Sequence, residues 1–570
     1  MKLSILKLLL AMALLYNVFS YRLAAAPMSI WADASLTIAN VQVGSTELEA
    51  FIDTVMLDDM MINHVPGAVV SVVKDGQLIF ERGYGYADYE NRIPVNPDHT
   101  LFRVGSISKL FIWTAVMRLV GRGKLSLGAD VNIYLDFQIP PTYPEPITMK
   151  SLMTHTAGFG GSDQGLFRKR PDELSSLEQY VKMYMPARVY PPSKIEIYSN
   201  YGAALASYIV ECISGMSFND YVEKNLLIPL GMTHSTFRQP LPLELGPDLD
   251  NGYNFLQGRY VKAGFEYIVA YRVGSLSSTG ADMALFMVAH LQNGKLGKCR
   301  ILSEQAAKQM HDQLFTHDPR ITGMAYGFYE NNINGQRVLS HGGGIVLWSS
   351  KVYLILDQNT GLFISTNGPG GVITREVLFK RFMDHYFPSA PSSVQHPTEG
   401  FSKRVAPYLG MYYPAVNNFT TFEKLLSGIT MIKVILYTKG YLVISQDSQR
   451  IQFTEVEPGL MRKIDDTNVE FVLHTVENGQ AYLLLIGTLI SWGIAALIRP
   501  RKREPSPFLS RLARWTSILL ALLLMVILAG WSSLLITPDP VFDKPVIPFS
   551  RPPLFYALYR LRYTMSGLAG

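Results

Sequence analysis

A serine and a lysine, three residues apart, open a long apolar stretch of the sequence. Ser106 and Lys109 belong to the segment Gly105-Ser106-Ile107-Ser108-Lys109, and residues 110–117 that follow are almost all apolar. Side chains three residues apart lie on one face of a helix, so the Ser106 hydroxyl can meet the Lys109 amine. A helix that is apolar on nearly every face is buried, and burial lowers the pKa of an amine until it can accept a proton. The spacing predicts a nucleophilic serine with lysine as its base.

A tyrosine and an asparagine precede a second helical run. Tyr198-Ser199-Asn200 is followed by the mostly apolar residues 201–206. Serine or asparagine at this place can simply cap the helix, which is the structural interpretation. In the functional interpretation, the Tyr198 hydroxyl transfers a proton and the Asn200 amide holds a substrate carbonyl or amide.

A histidine and three glycines interrupt a strand pattern. Ser340-His341-Gly342-Gly343-Gly344 lies between the strand-like residues 337–339 and 345–348. Glycine is unfavourable inside a strand and indicates a bulge or the close approach of another group. The backbone N–H groups of Gly344 and Ser106 could form a two-donor oxyanion hole. Alternatively, His341 is an ordinary strand histidine and the glycines form a loop.

The three motifs, in this chain order, resemble those of the serine β-lactamase and penicillin-binding protein superfamily. The resemblance is to the branch of class C β-lactamases, D-aminopeptidases and related esterases, which carries Ser-x-x-Lys, Tyr-x-Asn and Lys/His-x-Gly. It extends from about residue 48 to residue 387. Four further landmarks that match are residues 65–68, 152–158, 229–232 and 274–279. The resemblance implies an α+β fold in two subdomains: an antiparallel sheet flanked by helices, plus a helical subdomain, with the site at the seam.

The resemblance also implies a mechanism. Ser106 attacks an ester or amide carbonyl to form an acyl-enzyme, and Lys109 and Tyr198 share its proton. One of these two groups then activates water for deacylation. No cofactor and no metal are implied, and the expected partner is a small-molecule or peptide substrate.

The substrate side of the site departs from the β-lactamase pattern at one residue. The resemblance implies that Asn200, His341 and Gly343 bind the substrate, and that the N–H groups of Ser106 and Gly344 form the oxyanion hole. For His341 it leaves two roles open: contact with the acidic end of the substrate or support of Tyr198. True β-lactamases usually carry a permanently charged lysine at the position of His341, whereas histidine is charged only below about pH 6.5. The departure favours peptidase or esterase chemistry over efficient β-lactam hydrolysis. A β-lactam, a D-amino-acid peptide and a simple ester all remain open as substrates.

A second hypothesis is an extracellular structural or matrix protein that keeps the fold with little or no turnover. The superfamily includes such proteins, for example in mineralised invertebrate matrices. Intact motifs favour the enzyme.

Composition and missing motifs argue against several other classes of protein. The chain has 570 residues and a formal net charge of +5, which is not a nucleic-acid-binding signature. A Gly-x-Ser-x-Gly elbow is missing, which argues against an α/β-hydrolase. The ligand motifs His-Glu-x-x-His and His-x-His-x-Asp are also missing, which argues against a metal hydrolase.

The two cysteines of the chain are too few for a disulfide framework. Cys212 lies in an apolar run and is predicted to be buried. Its pairing with Cys299 is left open.

Changes in composition along the chain predict where its domains begin and end. The predicted segments are a signal peptide (1–26), a β-lactamase-like serine hydrolase domain (46–387), a linker (388–400), a small lipocalin-like β domain (401–480), a transmembrane helix (481–498), a basic cytoplasmic loop (499–514), a second transmembrane helix (515–536) and a tail (537–570). An unrelated β module is the alternative for the small domain, and a buried hairpin is the alternative for the two apolar segments. Asn418 begins an N-glycosylation sequon. These assignments predict an extracellular or periplasmic catalytic domain that is tethered to a membrane.

Overall fold

The computed structural model describes residues 46–269, 271–389, 399–414, 432–437, 440–446, 449–464, 468–476, 480–484 and 496–498. The α-helices of these residues are α1 (Thr46–Ile62), α2 (Ser108–Gly121), α3 (Met149–Met153), α4 (Leu177–Met183), α5 (Asn200–Ser214), α6 (Phe218–Val222), α7 (Ile228–Leu230), α8 (Gly280–Leu291), α9 (Glu304–His311), α10 (Gly371–Tyr386) and α11 (Phe401–Val405). Turns of 3₁₀-helix are Gly105–Ile107, Val131–Tyr134, Pro171–Glu173, Gly246–Asp248, Tyr271–Val273, Leu356–Gln358 and Ala406–Tyr408, and Glu223–Leu227 is a π-helical turn.

The strands of the first domain are β1 (Gly67–Lys74), β2 (Gln77–Asp88), β3 (Ile93–Pro94), β4 (Phe102–Arg103), β5 (Phe167–Arg168), β6 (Tyr253–Leu256), β7 (Arg259–Lys262), β8 (Tyr267–Ile268), β9 (Ser277–Ser278), β10 (Lys295–Leu296), β11 (Cys299–Arg300), β12 (Tyr329–Ile333), β13 (Gln336–Ile345), β14 (Trp348–Ile355) and β15 (Thr360–Thr366). Those of the second domain are β16 (Gly410–Pro414), β17 (Ile432–Tyr437), β18 (Tyr441–Gln446), β19 (Gln449–Glu457), β20 (Leu460–Lys463), β21 (Glu470–Val476), β22 (Gln480–Leu484) and β23 (Ala496–Ile498).

The main sheet is built from both ends of the first domain. Its seven strands run in the order β12-β13-β14-β15-β1-β2-β3, and neighbouring strands are antiparallel. The early strand β1 therefore lies beside the late strand β15, with Val70 opposite Ile364. The turn between β1 and β2 is Asp75-Gly76, where both residues have positive φ, as the sequence predicts for a tight hairpin. This architecture confirms the predicted α+β fold of the domain.

Both faces of the sheet are covered by helices. Val70 and Val72 of β1 pack with side chains of α1 and α10 on one face. Val69 and Val73 point to the other face and pack with α8 and the helical part of the domain. Complete burial of such a side chain stabilises the fold by about 1.5–3 kcal/mol. Helix α2 is buried along almost its whole length on this second side, as its apolar sequence predicts.

The second domain is a small antiparallel sheet that closes on itself. Its strands pair in sequence order, and β16 pairs with both β17 and β23. Its core contains Tyr412, Val434, Ile444, Phe453 and Phe471. The sheet extends to Ile498, past the predicted domain end at residue 480.

The prediction of two C-terminal transmembrane helices is wrong. Over the described residues, the chain contains no helix with the length and apolar character needed to cross a bilayer. The described ends of the first predicted span, residues 481–484 and 496–498, belong to β22 and β23, which pair with each other and with the rest of the closed sheet. An apolar run can form buried strands as readily as a helix. The second predicted span, residues 515–536, lies outside the described residues, as do residues 499–514 and 537–570.

The cysteine prediction also needs correction. Cys212 and Cys299 are both exposed and free, so they do not form a disulfide and Cys212 is not a core residue. Cys212 lies on the outer face of α5, whose buried residues end at Val210. The predicted signal peptide, Asn418 and residues 390–398 of the predicted linker lie outside the described residues.

Candidate active site

Ser106 lies on a single 3₁₀ turn that leads into α2. Gly105, just before it, has a φ of +57°, a conformation that glycine adopts without a steric penalty. The Ser108 hydroxyl donates to the Gly105 carbonyl oxygen at 2.6 Å and accepts from the Leu276 N–H at 3.0 Å. These bonds fix the turn, so the Ser106 side chain is presented at the beginning of a buried helix.

Lys109 is fully buried one turn further along the chain. Its Nζ atom lies 3.0 Å from Ser106 Oγ and donates to the Val273 carbonyl oxygen at 2.8 Å. Burial lowers the pKa of Lys109 to about 7, although the negative charge of Asp163 opposes the shift. Near neutral pH a large fraction of this amine is therefore uncharged and able to accept a proton.

Tyr198 contacts the same serine from the loop before α5. Its hydroxyl donates to Ser106 Oγ at 2.7 Å, and its ring centre lies 5.0 Å from Lys109 Nζ. Burial raises the pKa of Tyr198 above its ordinary value of 10.0. The phenol therefore keeps its proton near neutral pH and can donate it.

The glycines of β13 allow this strand to run against the Ser106 turn. A Cβ atom on Gly343 would lie 1.8 Å from the Val104 carbonyl oxygen and 3.1 Å from Ser106 N, so no larger residue fits without movement. A Cβ atom on Gly105 would lie 2.7 Å from Gly344 N, which places the Gly344 backbone beside the turn. Gly344 itself is exposed, and a Cβ there would meet nothing within 4 Å. The predicted oxyanion-hole residues are thus neighbours at an open face.

Asn200 is the first residue of α5, and the structure brings it to an acidic partner. Ser199 caps the helix by accepting from the Gly202 N–H at 2.9 Å, so the structural interpretation of this motif holds for the serine. The Asn200 amide donates to Asp163 Oδ1 at 3.1 Å. Asp163 was not selected from the sequence, because it belongs to a loop without a recognisable motif.

His341 is buried and neutral. Its Nδ1 lies 2.8 Å from the Gly342 carbonyl oxygen, while Nε2 has no hydrogen-bond partner within the described part of the chain. Burial, with a smaller effect from the positive charge of Lys109, lowers the pKa of His341 to about 3. The side chain therefore supplies no positive charge at physiological pH.

His155 is a second buried histidine beside the site. Its ring centre lies 4.6 Å from that of Tyr198, and its Nδ1 accepts from the Ser199 N–H at 3.2 Å. Burial lowers the pKa of His155 well below its ordinary value, so it too is neutral. Sequence reasoning included it in the 152–158 landmark but gave it no role; here it packs against the loop that carries Tyr198.

Another buried polar group supports the strand that leads to the nucleophile. The guanidinium of Arg103 donates to the Glu266 carbonyl oxygen at 2.6 Å and lies 4.0 Å from the centre of the Phe265 ring. Trp348, 5.2 Å from the same guanidinium, donates its indole N–H to Asp250 at 2.8 Å. The contact between Arg103 and Trp348 links β4, which leads to the Ser106 turn, with β14.

Comparisons with known proteins agree with this geometry. The sequence model of the Beta-lactamase family matches residues 52–379 of the chain. Among curated proteins, the chain is similar to Protein flp of Staphylococcus aureus strain MRSA252, with 25% identity over 321 residues. That match covers 55% of this chain and 62% of the relative, so the chain spans less than two thirds of its relative's length.

Solved structures share the fold. The chain resembles the structure of SurE, with a TM-score of 0.57 and 21% identity over 80% of this chain and 100% of the other. It also resembles an octameric penicillin-binding protein homologue from Pyrococcus abyssi, with a TM-score of 0.53 and 21% identity over 79% of this chain and 100% of the other. At these identities the likeness concerns the fold.

Proposed function

The chain belongs to the beta-lactamase family of serine hydrolases, and from this premise we propose that it cleaves an ester or amide through an acyl-enzyme on Ser106. The observation that carries the proposal is the convergence of two groups on one oxygen: Ser106 Oγ lies 3.0 Å from Lys109 Nζ and 2.7 Å from the Tyr198 hydroxyl. A nucleophile within hydrogen-bond distance of a base and of a proton donor has the arrangement that covalent catalysis needs.

In acylation, the uncharged Lys109 amine takes the proton of the Ser106 hydroxyl as Oγ bonds to the substrate carbonyl carbon. The carbonyl oxygen becomes an oxyanion, which the N–H groups of Ser106 and Gly344 stabilise. When the carbon–leaving-group bond breaks, the Tyr198 phenol gives its proton to the leaving group. Lys109 returns a proton to Tyr198, so each group ends the step as it began.

Deacylation repeats these transfers with water as the nucleophile. Water loses a proton to the Lys109–Tyr198 pair as its oxygen attacks the acyl carbon, and the proton then passes to Ser106 Oγ as the ester bond breaks. The lowered pKa of Lys109 and the raised pKa of Tyr198 support lysine as the base and tyrosine as the acid.

On the substrate side, we propose an acyl group that does not need a positive charge at position 341. The lowered pKa of His341 leaves this side chain neutral, whereas a lysine there would hold a carboxylate. Peptidase or esterase activity is therefore proposed ahead of β-lactam hydrolysis. Asn200, which contacts Asp163, is proposed to orient the bound acyl or amide group.

We also propose that the hydrolase domain acts outside the cytoplasm. Lys2 and Lys7 precede the apolar residues 8–15, and small residues follow at Ser20 and at residues 24–26, as in a signal peptide. N-terminal sequencing of the mature protein from its native host should begin between residues 21 and 27. A mature chain that still carries Met1 would contradict export by this segment.

Labelling of the purified full chain with a fluorophosphonate tests the enzyme against the matrix protein. The wild type should gain one adduct mass, which peptide mapping assigns to Ser106. Ser106→Ala should remove labelling, while Ser126→Ala, a change at an exposed serine of the same domain, should keep it. An unlabelled wild type with a cooperative thermal transition would favour the structural protein.

A further inference from the structure

Two histidines and an aspartate from distant parts of the chain come together outside the proposed active site. His99, His234 and Asp248 each offer a ligand atom, and these atoms all lie within 4.8 Å of one another. The imidazole rings of His99 and His234 are perpendicular, with their centres 4.7 Å apart. His99 is exposed and the other two are half-buried, so the group can be reached from solvent.

The backbone holds the three segments side by side without help from these side chains. Leu101 N donates to the Asp248 carbonyl oxygen at 2.8 Å, which ties the segment after His99 to that of Asp248. Thr236 N and Ser277 O, 3.0 Å apart, tie the segment after His234 to β9, which in turn pairs with β4. The site would therefore be largely preformed, and only side-chain rotations would be needed to complete it.

Further contacts restrain His234 and make the surroundings acidic. Its backbone N–H donates to Asp282 Oδ2 at 2.8 Å, and the Thr233 hydroxyl lies 3.2 Å from its Nδ1. A hydrogen bond to one ring nitrogen is how proteins commonly orient a ligating histidine. Asp282 interacts electrostatically with both Asp98 and His234, so negative charge lies near the His234 imidazole.

The donor types point to one class of cation. Imidazole nitrogen combined with carboxylate oxygen suits zinc and similar divalent transition metals, whereas magnesium and calcium prefer oxygen alone. Ligand atoms around a tetrahedral zinc ion lie about 3.4 Å apart, given bonds of about 2.1 Å. The three ligand atoms lie within 4.8 Å of one another, so side-chain rotations that bring them closer by about 1.4 Å would reach that spacing.

We propose that His99, His234 and Asp248 form a zinc-type cation site that fastens the segment leading to Ser106 onto the segments that carry His234 and Asp248. Three protein ligands leave one position for water. His99 lies before β4, and β4 leads directly to the Ser106 turn, so the bound cation would stiffen the base of the nucleophile's support. We assign the cation a structural role, because none of its three ligands is among the hydrogen-bond partners of Ser106 Oγ and Lys109 Nζ in the described part of the chain.

Zinc titration of the chelator-treated full chain tests this site. We expect one equivalent of ZnCl₂ to bind in isothermal titration calorimetry, with Tm rising as free zinc increases. His234→Gln and Asp248→Asn should each weaken binding at least tenfold. His385→Gln, a change at an exposed histidine that contacts Glu47, should leave it unchanged.

Cobalt gives a readout that does not depend on stability. One equivalent of Co²⁺ should produce the strong visible absorption of a tetrahedral site in the wild type and in His385→Gln, but not in His234→Gln. Circular dichroism checks that each variant is folded. Zinc binding of equal affinity in wild type and His234→Gln would place the metal elsewhere and overturn the proposal, as would a wild type that binds no zinc.

Discussion

Lys109 Nζ lies 3.0 Å from Ser106 Oγ, and the whole lysine side chain is buried in this position. Burial penalises the charged form of an amine, and here no carboxylate within hydrogen-bond distance offsets that penalty among the described contacts of Nζ. The same desolvation that destabilises the fold makes the amine a base. Stability and activity should therefore respond to Lys109 in opposite directions.

The pH dependence of activity should follow Lys109. Its pKa of about 7 predicts that kcat/KM rises as pH increases through about 7, because the amine must lose its proton to act as a base. Tyr198 should not reverse the rise at mildly alkaline pH, since burial raises the pKa of this phenol above 10.0. A kcat/KM profile from pH 5 to 9 with a p-nitrophenyl ester measures the inflection.

The control for that profile is His341. Its pKa is lowered to about 3, so His341→Gln should leave the inflection near pH 7 in place even if the rate falls. An inflection that disappears in His341→Gln would assign the titration to the histidine instead of the lysine.

Replacing Lys109 by methionine should stabilise the protein while it abolishes acylation. The folded-state pKa of about 7 lies below the ordinary 10.5, so the unfolded chain binds the proton more tightly. Below about pH 7, Lys109 is charged in both the folded and the unfolded chain, and the folded state carries the whole desolvation penalty. Above about pH 10.5, Lys109 is uncharged in both. The gain in stability from Lys109→Met should thus be largest below pH 7 and shrink as pH rises.

Thermal unfolding at pH 6 and pH 10 measures this trend. At pH 6 we expect Tm to rise by roughly 1–2 °C for each kcal/mol gained, because the unfolding entropy of so large a domain is high. A Tm that falls equally at both pH values would mean that the hydrogen bonds to Ser106 and Val273 outweigh desolvation.

Removal of the Tyr198 hydroxyl should lower the rate without exposing the site. Tyr198→Phe deletes the 2.7 Å contact with Ser106 and should reduce kcat by about 10²–10⁴, the usual contribution of a general acid or base. Tyr201→Phe is the matched control: its hydroxyl donates to the Val181 carbonyl oxygen at 2.8 Å, so its loss should affect Tm and spare kcat. Equal kcat in the two variants would remove Tyr198 from proton transfer.

The sequence predicted those parts of the site that depend on short-range geometry. Ser106 and Lys109 meet because residues three apart share a helix face, and Asp75-Gly76 forms its hairpin because both residues tolerate positive φ. Contacts between distant segments were not predictable in this way. Asn200 contacts Asp163 through a loop that carries no motif, and His99 meets His234 only through the pairing of β4 with β9.

The C-terminal segments show a different limit. Residues 481–498 are apolar enough for a membrane helix, yet their described ends are strands of the closed sheet. Hydropathy measures only how apolar a segment is, and a buried strand can be as apolar as a membrane helix. The pairing of β23 with β16, the first strand of this domain, closes the sheet and depends on residues that are far apart in the chain.

Alanine at Gly343 should damage both stability and activity. The added Cβ would lie 1.8 Å from the Val104 carbonyl oxygen, so β13 must move away from the Ser106 turn. Overpacking of this kind costs about 1–3 kcal/mol, and displacement of an oxyanion donor costs about 10²–10³ in kcat. Gly344→Ala is the control for stability, because its Cβ meets nothing within 4 Å and Tm should not change. Equal Tm values for the two variants would contradict the close approach of β13.

A lysine at position 341 should change which substrates the protein prefers. The lowered pKa of His341 leaves position 341 uncharged in the wild type, so the enzyme should favour a neutral p-nitrophenyl butyrate over p-nitrophenyl hemisuccinate, which carries a carboxylate. His341→Lys adds a positive charge that attracts the carboxylate, and the ratio of the two kcat/KM values should shift at least tenfold toward the anion, about 1.4 kcal/mol.

The same substitution should also change the pH dependence of kcat/KM. Lys109 and residue 341 interact electrostatically, so a positive charge at position 341 disfavours protonation of Lys109. The inflection of the pH profile should therefore move below pH 7. His385→Lys makes the same change at an exposed histidine and should alter neither the ratio nor the inflection. If His341→Lys leaves both unchanged, residue 341 does not face the bound acyl group, and the preference for neutral substrates has another origin.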